Sequence, residues 1–517
     1  KVFLSFFLSL SFLSAPLHNQ MAFRCLHTCP FSCRRETALM KQVGSHPEYR
    51  KRSIRAPTTS SAASSHSVME RVLSERINDW VGGRYAKDFA QAYNTGVQNL
   101  WVNDAGSGSG GHIVLCRSEN KLISDRLASE LEDCSLNFQT CSLAYEDYKG
   151  SLELREAVCE YVKKNIVGGS KSAEDVVASD ICISAGCGVV IENLVLALCD
   201  FSDVALVPAP YYSSFDRDLG MRAGVSIECV YHSKRAEAAA AGEEEEEQLS
   251  LAVEDFEAAY QKVKAEGGVP KVVLLTNPHN PLGIVYSQKD LMDVLVWAEQ
   301  RKLHVISDEI YANSIYDHSG DEGSAFTSCI ELGRRCVSSG SMTESFRRNF
   351  LHCVFGFSKD FGASGLRIGC VHTSNPEILT AWNALGYSCA VSTHTQYVLT
   401  NLLKREDFVS SFLEENKKTL REAANVLKQA LKEAGIPFVV PRAGLFVWID
   451  LRHLLASSTW QAERDLWAKL SIDQRVVLTP GEFCHAQEPG FFRLCFAWMP
   501  DIRCLSEAAK RISAVKE

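Results

Sequence analysis

The feature that most constrains the fold is an alternation of short apolar strands with helices between residues 181 and 371. Strands that are apolar on both faces are typical of a parallel sheet covered by helices on both sides. The sequence therefore predicts an α/β fold with a mostly parallel sheet, and such sheets bind ligands at the carboxyl ends of their strands. The predicted strands are 181–184, 204–207, 225–230, 271–276, 303–307, 353–357 and 368–371, and the helices include 187–199, 254–265 and 288–301.

The chain is predicted to divide into a large α/β domain and a smaller α+β domain. Residues 136–375 form the large domain, interrupted by the glutamate-rich stretch 236–248, which we interpret as a solvated surface insertion. After Asn375-Pro376 the pattern changes to long helices, predicted at 377–404 and 409–434, so 376–517 is the smaller domain. Residues 67–135 begin with an amphipathic helix at 67–83 and are expected to contribute to the smaller domain.

The first 66 residues have the composition of a targeting leader. Their net charge is +7, which leaves −16 for the rest of a chain whose net charge is −9. A short apolar run at 2–13 and an Arg- and Ser-rich segment after Met21 predict either a signal plus transit leader to a plastid or a mitochondrial leader that starts at Met21. If the leader is an artefact of the gene sequence, the prediction is a cytoplasmic protein.

The charge and hydropathy of the body exclude two classes of partner. An acidic body argues against nucleic acid, whose phosphates bind basic surfaces. The sequence contains no run of 18 apolar residues, so no membrane partner is expected. Six of the 19 cysteines lie in apolar runs, which indicates free thiols in a reducing compartment: Cys182, Cys199, Cys229, Cys353, Cys370 and Cys495. The spacing of Cys25, Cys29 and Cys33 matches no zinc site, so no metal is predicted.

Polar and aromatic side chains follow five of the predicted strands. Singly, each has an ordinary structural explanation as a turn, a helix cap or a core residue. Together they lie at one edge of the sheet, where a single crevice is expected. These groups are the small residues Ala185, Gly186 and Cys187 before a helix, Tyr212, Asn280, Asp308 with Tyr311, and Ser358-Lys359 with Arg367 further on.

This set matches the needs of pyridoxal 5′-phosphate. Lys359 forms the Schiff base and then moves the substrate proton as general base, while Asp308 pairs with the ring nitrogen. Asn280 and Tyr311 donate to the ring oxygen, and Tyr212 stacks on the ring face. The phosphate takes the helix N-terminus at residues 185–187 together with Ser358 and Arg367.

The motifs YEDYKG, PYYSSFDRDL, TNPHNPLG, ISDEIY, FSKDFGASGLRIG, AGLFVWIDL and FRLCFAWM resemble those of fold-type-I pyridoxal phosphate enzymes. Within the class I/II aminotransferases they are most similar to the subgroup of 1-aminocyclopropane-1-carboxylate (ACC) synthases and ACC-synthase-like proteins, over residues 85–515. The resemblance implies that Arg493 grips the substrate carboxylate, that Glu119 lies near the substrate, and that Tyr148 reaches the phosphate of a second subunit in a homodimer. Two positions depart from the family pattern, because Gly356 replaces a serine and Cys187 replaces a threonine or asparagine.

Three hypotheses for function follow. The first is an aminotransferase acting on an α-amino acid and a 2-oxo acid. The second is an ACC synthase, a lyase that cleaves S-adenosylmethionine by γ-elimination. The third is a non-catalytic homologue, against which the intact Lys359, Asp308, Asn280, Tyr311, Arg367 and Arg493 argue.

Overall fold

The computed structural model describes residues 84–103, 110–135, 138, 140–232, 250–317 and 325–515. All of them fall within one compact unit, Val72–Glu517. The predicted leader, the predicted helix 67–83 and the insertion 236–248 lie outside the described residues. The domain boundaries stay predictions.

The helices and strands alternate along most of the chain. The helices are α1 Arg84–Gln98, α2 Ser124–Ser135, α3 Leu152–Asn165, α4 Cys187–Leu198, α5 Phe215–Gly220, α6 Val253–Ala265, α7 Gln288–Arg301, α8 Cys329–Ser338, α9 Glu344–Phe350, α10 Pro376–Leu385, α11 Thr393–Leu403, α12 Glu406–Glu433, α13 Trp460–Ala468 and α14 Arg503–Ser513. The strands are β1 Ile113–Val114, β2 Ile181–Ser184, β3 Val204–Ala209, β4 Ser226–Tyr231, β5 Pro270–Thr276, β6 His304–Asp308, β7 Leu351–Gly356, β8 Gly369–His372, β9 Phe446–Asp450, β10 Val476–Val477, β11 Thr479–Pro480 and β12 Phe491–Cys495.

The main sheet has seven strands in the order β2-β8-β7-β6-β5-β3-β4. Strands β7, β6, β5, β3 and β4 pair in parallel, whereas β8 runs antiparallel to both of its neighbours. Nearly every residue of β2, β3, β5, β7 and β8 is buried, as expected for strands with helices on both faces. The predicted fold class, a mostly parallel sheet in an α/β architecture, is confirmed.

The register of the central strands determines where their loops begin. Thr276 of β5 pairs with Asp308 of β6, which in turn pairs with Val354 of β7. The three strands therefore end almost level, and the loops that follow them start from one edge. Two smaller sheets complete the architecture, an antiparallel β11-β12-β9 and a parallel β1-β10.

Two predicted elements were wrong in extent. The long helix predicted at 377–404 is interrupted between α10 and α11, and a 3-10 turn occupies Gly386–Ser388. There the backbone approaches another segment closely, since a Cβ at Gly386 would lie 2.4 Å from the carbonyl oxygen of Tyr148. The apolar run that begins at residue 112 predicts a strand that breaks at Glu119, whereas β1 is only Ile113–Val114, and the segment after it brings the carbonyl oxygen of Ser118 to Lys359.

Among the described residues, every helix is too short or too polar to cross a membrane.

Candidate active site

A cavity of about 140 Å³ opens at the carboxyl edge of the main sheet. Its walls come from loops that follow β2, β3, β5, β6 and β7, as the alternating sequence pattern predicted. Eight of the predicted site residues line it: Cys187, Tyr212, Asn280, Asp308, Tyr311, Ser358, Lys359 and Arg367. Side chains from five separate strand ends therefore meet around one space.

Lys359 follows β7 and is largely enclosed. Its ammonium donates a hydrogen bond to the carbonyl oxygen of Ser118, in the segment that follows β1. Burial lowers the pKa of Lys359 to about 8, and the nearby positive charge of Arg493 acts in the same direction. An amine with this pKa is partly unprotonated near neutral pH, as a nucleophile or general base must be.

Asp308 ends β6 with its carboxyl group buried. One carboxylate oxygen accepts a hydrogen bond of 3.3 Å from the backbone N–H of Ile310. Burial raises the pKa of Asp308 from its usual 3.8 to about 7, although that hydrogen bond and the charge of Lys359 oppose the rise. A cationic ligand placed against this carboxyl group favours its ionised form.

The N-terminus of α4 forms one end of the cavity. Gly186 is its N-cap residue with φ of +99°, and no side chain caps the helix, so its first N–H groups are free to bind an anion. Arg367 lies beside it and donates to the carbonyl oxygens of Ala185 at 3.1 Å and Ser364 at 3.0 Å. A Cβ at position 186 would lie 2.5 Å from the Arg367 guanidinium, and the positive φ there favours glycine.

Arg493 lies on β12 and is buried beside Asn280. Its guanidinium donates to Asn280 Oδ1 at 3.1 Å, to Thr479 Oγ1 at 3.1 Å and to the Cys116 carbonyl oxygen at 3.2 Å. Its Nε is buried without a hydrogen-bond partner. A buried donor without a partner indicates that an acceptor is missing, and a carboxylate is the acceptor that an arginine fork matches best.

Comparison with known proteins identifies the family. The model of the family "Aminotransferase class I and II" matches residues 113–512. The chain belongs to this family. It is 36% identical over 357 residues to 1-aminocyclopropane-1-carboxylate synthase 11 of Arabidopsis thaliana, covering 69% of this chain and 72% of the relative. It is 32% identical over 413 residues to synthase 4 of the same plant, covering 78% and 82%.

Solved structures agree on the fold of this aminotransferase-family chain. Aspartate aminotransferase of Thermus thermophilus with maleate is similar at a TM-score of 0.64 and 21% identity, covering 86% of this chain and all of that one. Aspartate aminotransferase of Thermotoga maritima gives a TM-score of 0.62 at 20% identity, covering 85% and 99%. At these identities the likeness shows the fold alone.

The cofactor of this family is pyridoxal phosphate, and the predicted cofactor is confirmed. Three observations fit it: α4 has an uncapped N-terminus for a phosphate, Asp308 is a buried carboxyl for a ring cation, and Lys359 is an amine of lowered pKa. Ser358, Arg367 and the first N–H groups of α4 would hold the phosphate. The individual roles of the site residues stay predictions.

Asn280 and Tyr311 both line the cavity and can donate hydrogen bonds. The side-chain oxygen of Asn280 already accepts from Arg493, so its amide NH₂ is the half that can donate to a ligand. Tyr311 is buried, and burial raises the pKa of its hydroxyl group, which therefore stays protonated and can donate. Tyr212 also lines the cavity, with its ring at 87° to that of Phe215 and a centroid distance of 5.3 Å.

The two departures from the family pattern, Gly356 and Cys187, form one packing unit. A Cβ at Gly356 would lie 2.7 Å from Cys187 Sγ and 2.9 Å from the carbonyl oxygen of Ile368. No serine fits at 356, because the thiol occupies the space that its side chain would need. The Cys187 thiol instead donates to the Phe355 carbonyl oxygen at 3.2 Å, and this contact fixes the start of α4 against β7.

Five predicted site residues do not line the cavity: Ala185, Gly186 and Arg493, described above, and Glu119 and Tyr148. Glu119 accepts a hydrogen bond of 3.1 Å from Arg117 and sits next to Ser118, the acceptor for Lys359. Its negative charge raises the pKa of Lys359, which indicates that the two side chains are near each other. Tyr148 does not line the cavity of its own chain, and its ring lies edge-on to that of Tyr387 at 5.6 Å.

Sequence reasoning missed several residues around the cavity. Thr276, Asp218 and Ser364 line it, and Thr479 supports Arg493. Burial raises the pKa of Asp218 to about 6. Thr276 ends β5 and is the first residue of the motif TNPHNPLG, so its position in the sequence could have identified it. Thr479 has no such signal, because β11 and β12 bring it to Arg493 only through their pairing.

Proposed function

We propose that this protein is an aminotransferase that moves the amino group of an α-amino acid to a 2-oxo acid. Lys359 and Asp308 line one cavity, and Arg493 lies behind its wall with a hydrogen bond to the lining residue Asn280; this arrangement carries the proposal. These side chains provide an amine of lowered pKa, a buried carboxyl group and a buried guanidinium whose Nε lacks an acceptor. A substrate that carries both an amino group and a carboxylate satisfies the amine and the guanidinium together.

Each side chain has a defined task in this proposal. Pyridoxal phosphate supplies an electron sink that makes the substrate α-proton acidic. Lys359 takes that proton and returns it, which an amine with a pKa near 8 can do at neutral pH. Arg493 holds the substrate carboxylate with its fork of N–H groups, and that contact orients the α-carbon toward Lys359.

The second candidate function, an ACC synthase, is supported by the curated relatives at 36% and 32% identity. It needs a pocket for S-adenosylmethionine, whose sulfonium group is a cation. Glu119 is the carboxylate whose charge acts on Lys359 from the segment after β1, and it is already paired with Arg117 at 3.1 Å. A sulfonium held at Glu119 would have to share this carboxylate with Arg117.

A homodimer is part of the proposal. Several large apolar side chains near Tyr148 are exposed, which marks a surface that another protein covers. Thr393 donates to the carbonyl oxygen of Ala144 at 3.1 Å, so segments 140–148 and 387–394 form one surface. The exposed residues are Phe138, Leu143, Tyr145, Leu152 and Tyr387, with 52 to 96% of each exposed. Sedimentation of the purified protein as a monomer at micromolar concentration would contradict this part.

The deciding experiment offers S-adenosylmethionine, and separately a panel of amino acids with 2-oxo acids, to the purified protein. A new amino acid formed from a 2-oxo acid supports the aminotransferase. ACC with methylthioadenosine identifies the lyase instead. A normal cofactor absorbance without any product supports the non-catalytic homologue and contradicts both enzymes.

A further inference from the structure

Three side chains form a hydrogen-bonded group just outside the cavity, and we call them the latch: Tyr211, Asp216 and His485. The Tyr211 hydroxyl donates to Asp216 Oδ1 at 2.7 Å, and His485 Nε2 lies 2.7 Å from Asp216 Oδ2. The imidazole also stacks on the Tyr211 ring, with centroids 4.5 Å apart and planes 15° apart. One carboxylate thus takes both of its hydrogen bonds from two rings that are stacked on each other.

The latch joins two segments that we call the Tyr212 wall and the Arg493 wall. Tyr212 lines the cavity, whereas Arg493 lies behind it and donates to the lining residue Asn280. Tyr211 is the residue before Tyr212, whose side chain lines the cavity, and Asp216 lies in the first turn of α5. His485 belongs to the connection between β11 and β12, the strands that carry Thr479 and Arg493. A backbone hydrogen bond of 2.8 Å from Tyr211 N–H to the Cys484 carbonyl oxygen ties the same two segments.

The surroundings of His485 favour the protonated, positively charged form of its imidazole. Burial alone would lower the pKa of His485, but the hydrogen bond to Asp216 and the contact with the Cys229 thiol of β4 outweigh it and raise that pKa to about 9. The titratable groups that face the imidazole are Asp216 of α5, Tyr211 before α5 and Cys229. His485 also adopts φ of +55°, a left-handed conformation that is uncommon for a residue with a side chain. Such conformations cluster at functional sites.

We propose that His485 is a positioning residue that, through Asp216 and Tyr211, holds the Tyr212 wall in fixed register with the Arg493 wall. The proposal rests on the proposed function for the placement of cofactor and substrate at these two walls. Tyr212 faces the cofactor ring and Arg493 takes the substrate carboxylate, so the distance between the walls determines how the substrate α-carbon meets Lys359. Small displacements of reacting groups reduce turnover strongly.

An ordinary surface ion pair is the alternative. The side chains of His485 and Asp216 are 36% and 37% exposed, and exposed ion pairs contribute little to stability. That alternative predicts that removal of the pair leaves the chemistry unchanged. The two interpretations therefore differ in turnover and in cofactor geometry.

The test uses two variants with the cofactor bound. His485→Phe keeps an aromatic ring for stacking and loses the donor to Asp216, whereas His485→Gln keeps an N–H donor and loses the ring. His453→Gln, at an exposed position, is the matched control. Turnover is measured with the donor and acceptor pair that the product panel identifies, and the circular dichroism of the cofactor absorbance band is recorded for each variant.

We expect His485→Phe to lower kcat about 10-fold or more while KM changes less than about 3-fold, and to alter the circular dichroism of the cofactor band. His485→Gln should restore most of the parent kcat and circular dichroism, because it keeps the hydrogen bond to Asp216 that holds the Tyr212 wall in position. Tyr211→Phe removes the other donor and should behave like His485→Phe, which keeps the test available if His485→Phe does not fold.

The proposal is overturned if His485→Phe and Tyr211→Phe match His453→Gln in both kcat and circular dichroism, even when their thermal stability is lower. Failure of the proposed function is separable, because the circular dichroism measurement needs only bound cofactor. An altered band in a protein that transfers no amino group would support the latch and reject the aminotransferase.

Discussion

The buried carboxyl group of Asp308 gives the sharpest quantitative prediction. In the cofactor-free protein its pKa is about 7, whereas the unfolded chain has the usual 3.8. The folded state therefore holds a proton that the unfolded state has released, so stability is lost as the pH rises from about 4 through about 7. Between pH 5 and pH 8 the free energy of unfolding falls only up to the folded pKa of about 7, which is about 2 pH units. At about 1.36 kcal/mol per unit the loss is about 3 kcal/mol.

Asp308→Asn removes this titration while keeping the oxygen that accepts from Ile310. We measure the free energy of unfolding in urea for the cofactor-free variant and the cofactor-free parent. The variant's free energy minus the parent's should be larger at pH 8 than at pH 5 by about 3 kcal/mol. Asp501→Asn is the control. The hydrogen bond from Arg503 lowers the pKa of Asp501, so both its folded and unfolded pKa values lie below this window.

Bound cofactor should abolish the difference in pH dependence between the parent and Asp308→Asn, because a cationic ring nitrogen beside Asp308 keeps the carboxylate ionised in the folded state. The same variant should retain the cofactor but turn over very poorly. Equal pH slopes for the parent and Asp308→Asn in the cofactor-free state would refute the assignment of Asp308 as a buried, proton-holding carboxyl group.

Three further changes test the rest of the site. Arg493→Lys keeps the charge but loses the fork, so we expect KM for the amino acid to rise about 10-fold or more with the cofactor band intact; loss of cofactor with an unchanged KM would show that the carboxylate site is elsewhere. Lys359→Ala should abolish the absorbance of the lysine-bound cofactor, and survival of that absorbance would remove the central assignment. Gly356→Ala places a methyl group 2.7 Å from Cys187 Sγ and 2.9 Å from the Ile368 carbonyl oxygen, so urea unfolding should show a loss of about 1–3 kcal/mol. Cys187→Ala should relieve part of that loss, and a Gly356→Ala variant as stable as the parent would contradict the packing argument.

Local sequence patterns were enough for the framework of the fold. The bounds predicted for β2 and α7 are those observed, Ile181–Ser184 and Gln288–Arg301. Apolar runs and helical periodicity depend on residues close in the chain, and this is why they could be read from the sequence. The location of the cavity could also be predicted, because parallel strands end at one edge of the sheet and Asp308 and Lys359 therefore lie close together.

The tertiary structure decided what depends on contacts between distant segments. The sequence predicted one helix across Gly386, whereas a 3-10 turn stands there and its backbone lies close to Tyr148 of a distant segment. Gly356 and Cys187 looked like two separate losses of a hydroxyl group and proved to be one packing unit.

His485 gave no signal in the sequence, because its partners Tyr211 and Asp216 are about 270 residues away and pattern analysis sees only neighbours along the chain. The sequence by itself determined which chemical groups stand at the strand ends. The tertiary structure decided which of them touch, and so how the pocket around Lys359 is held in shape.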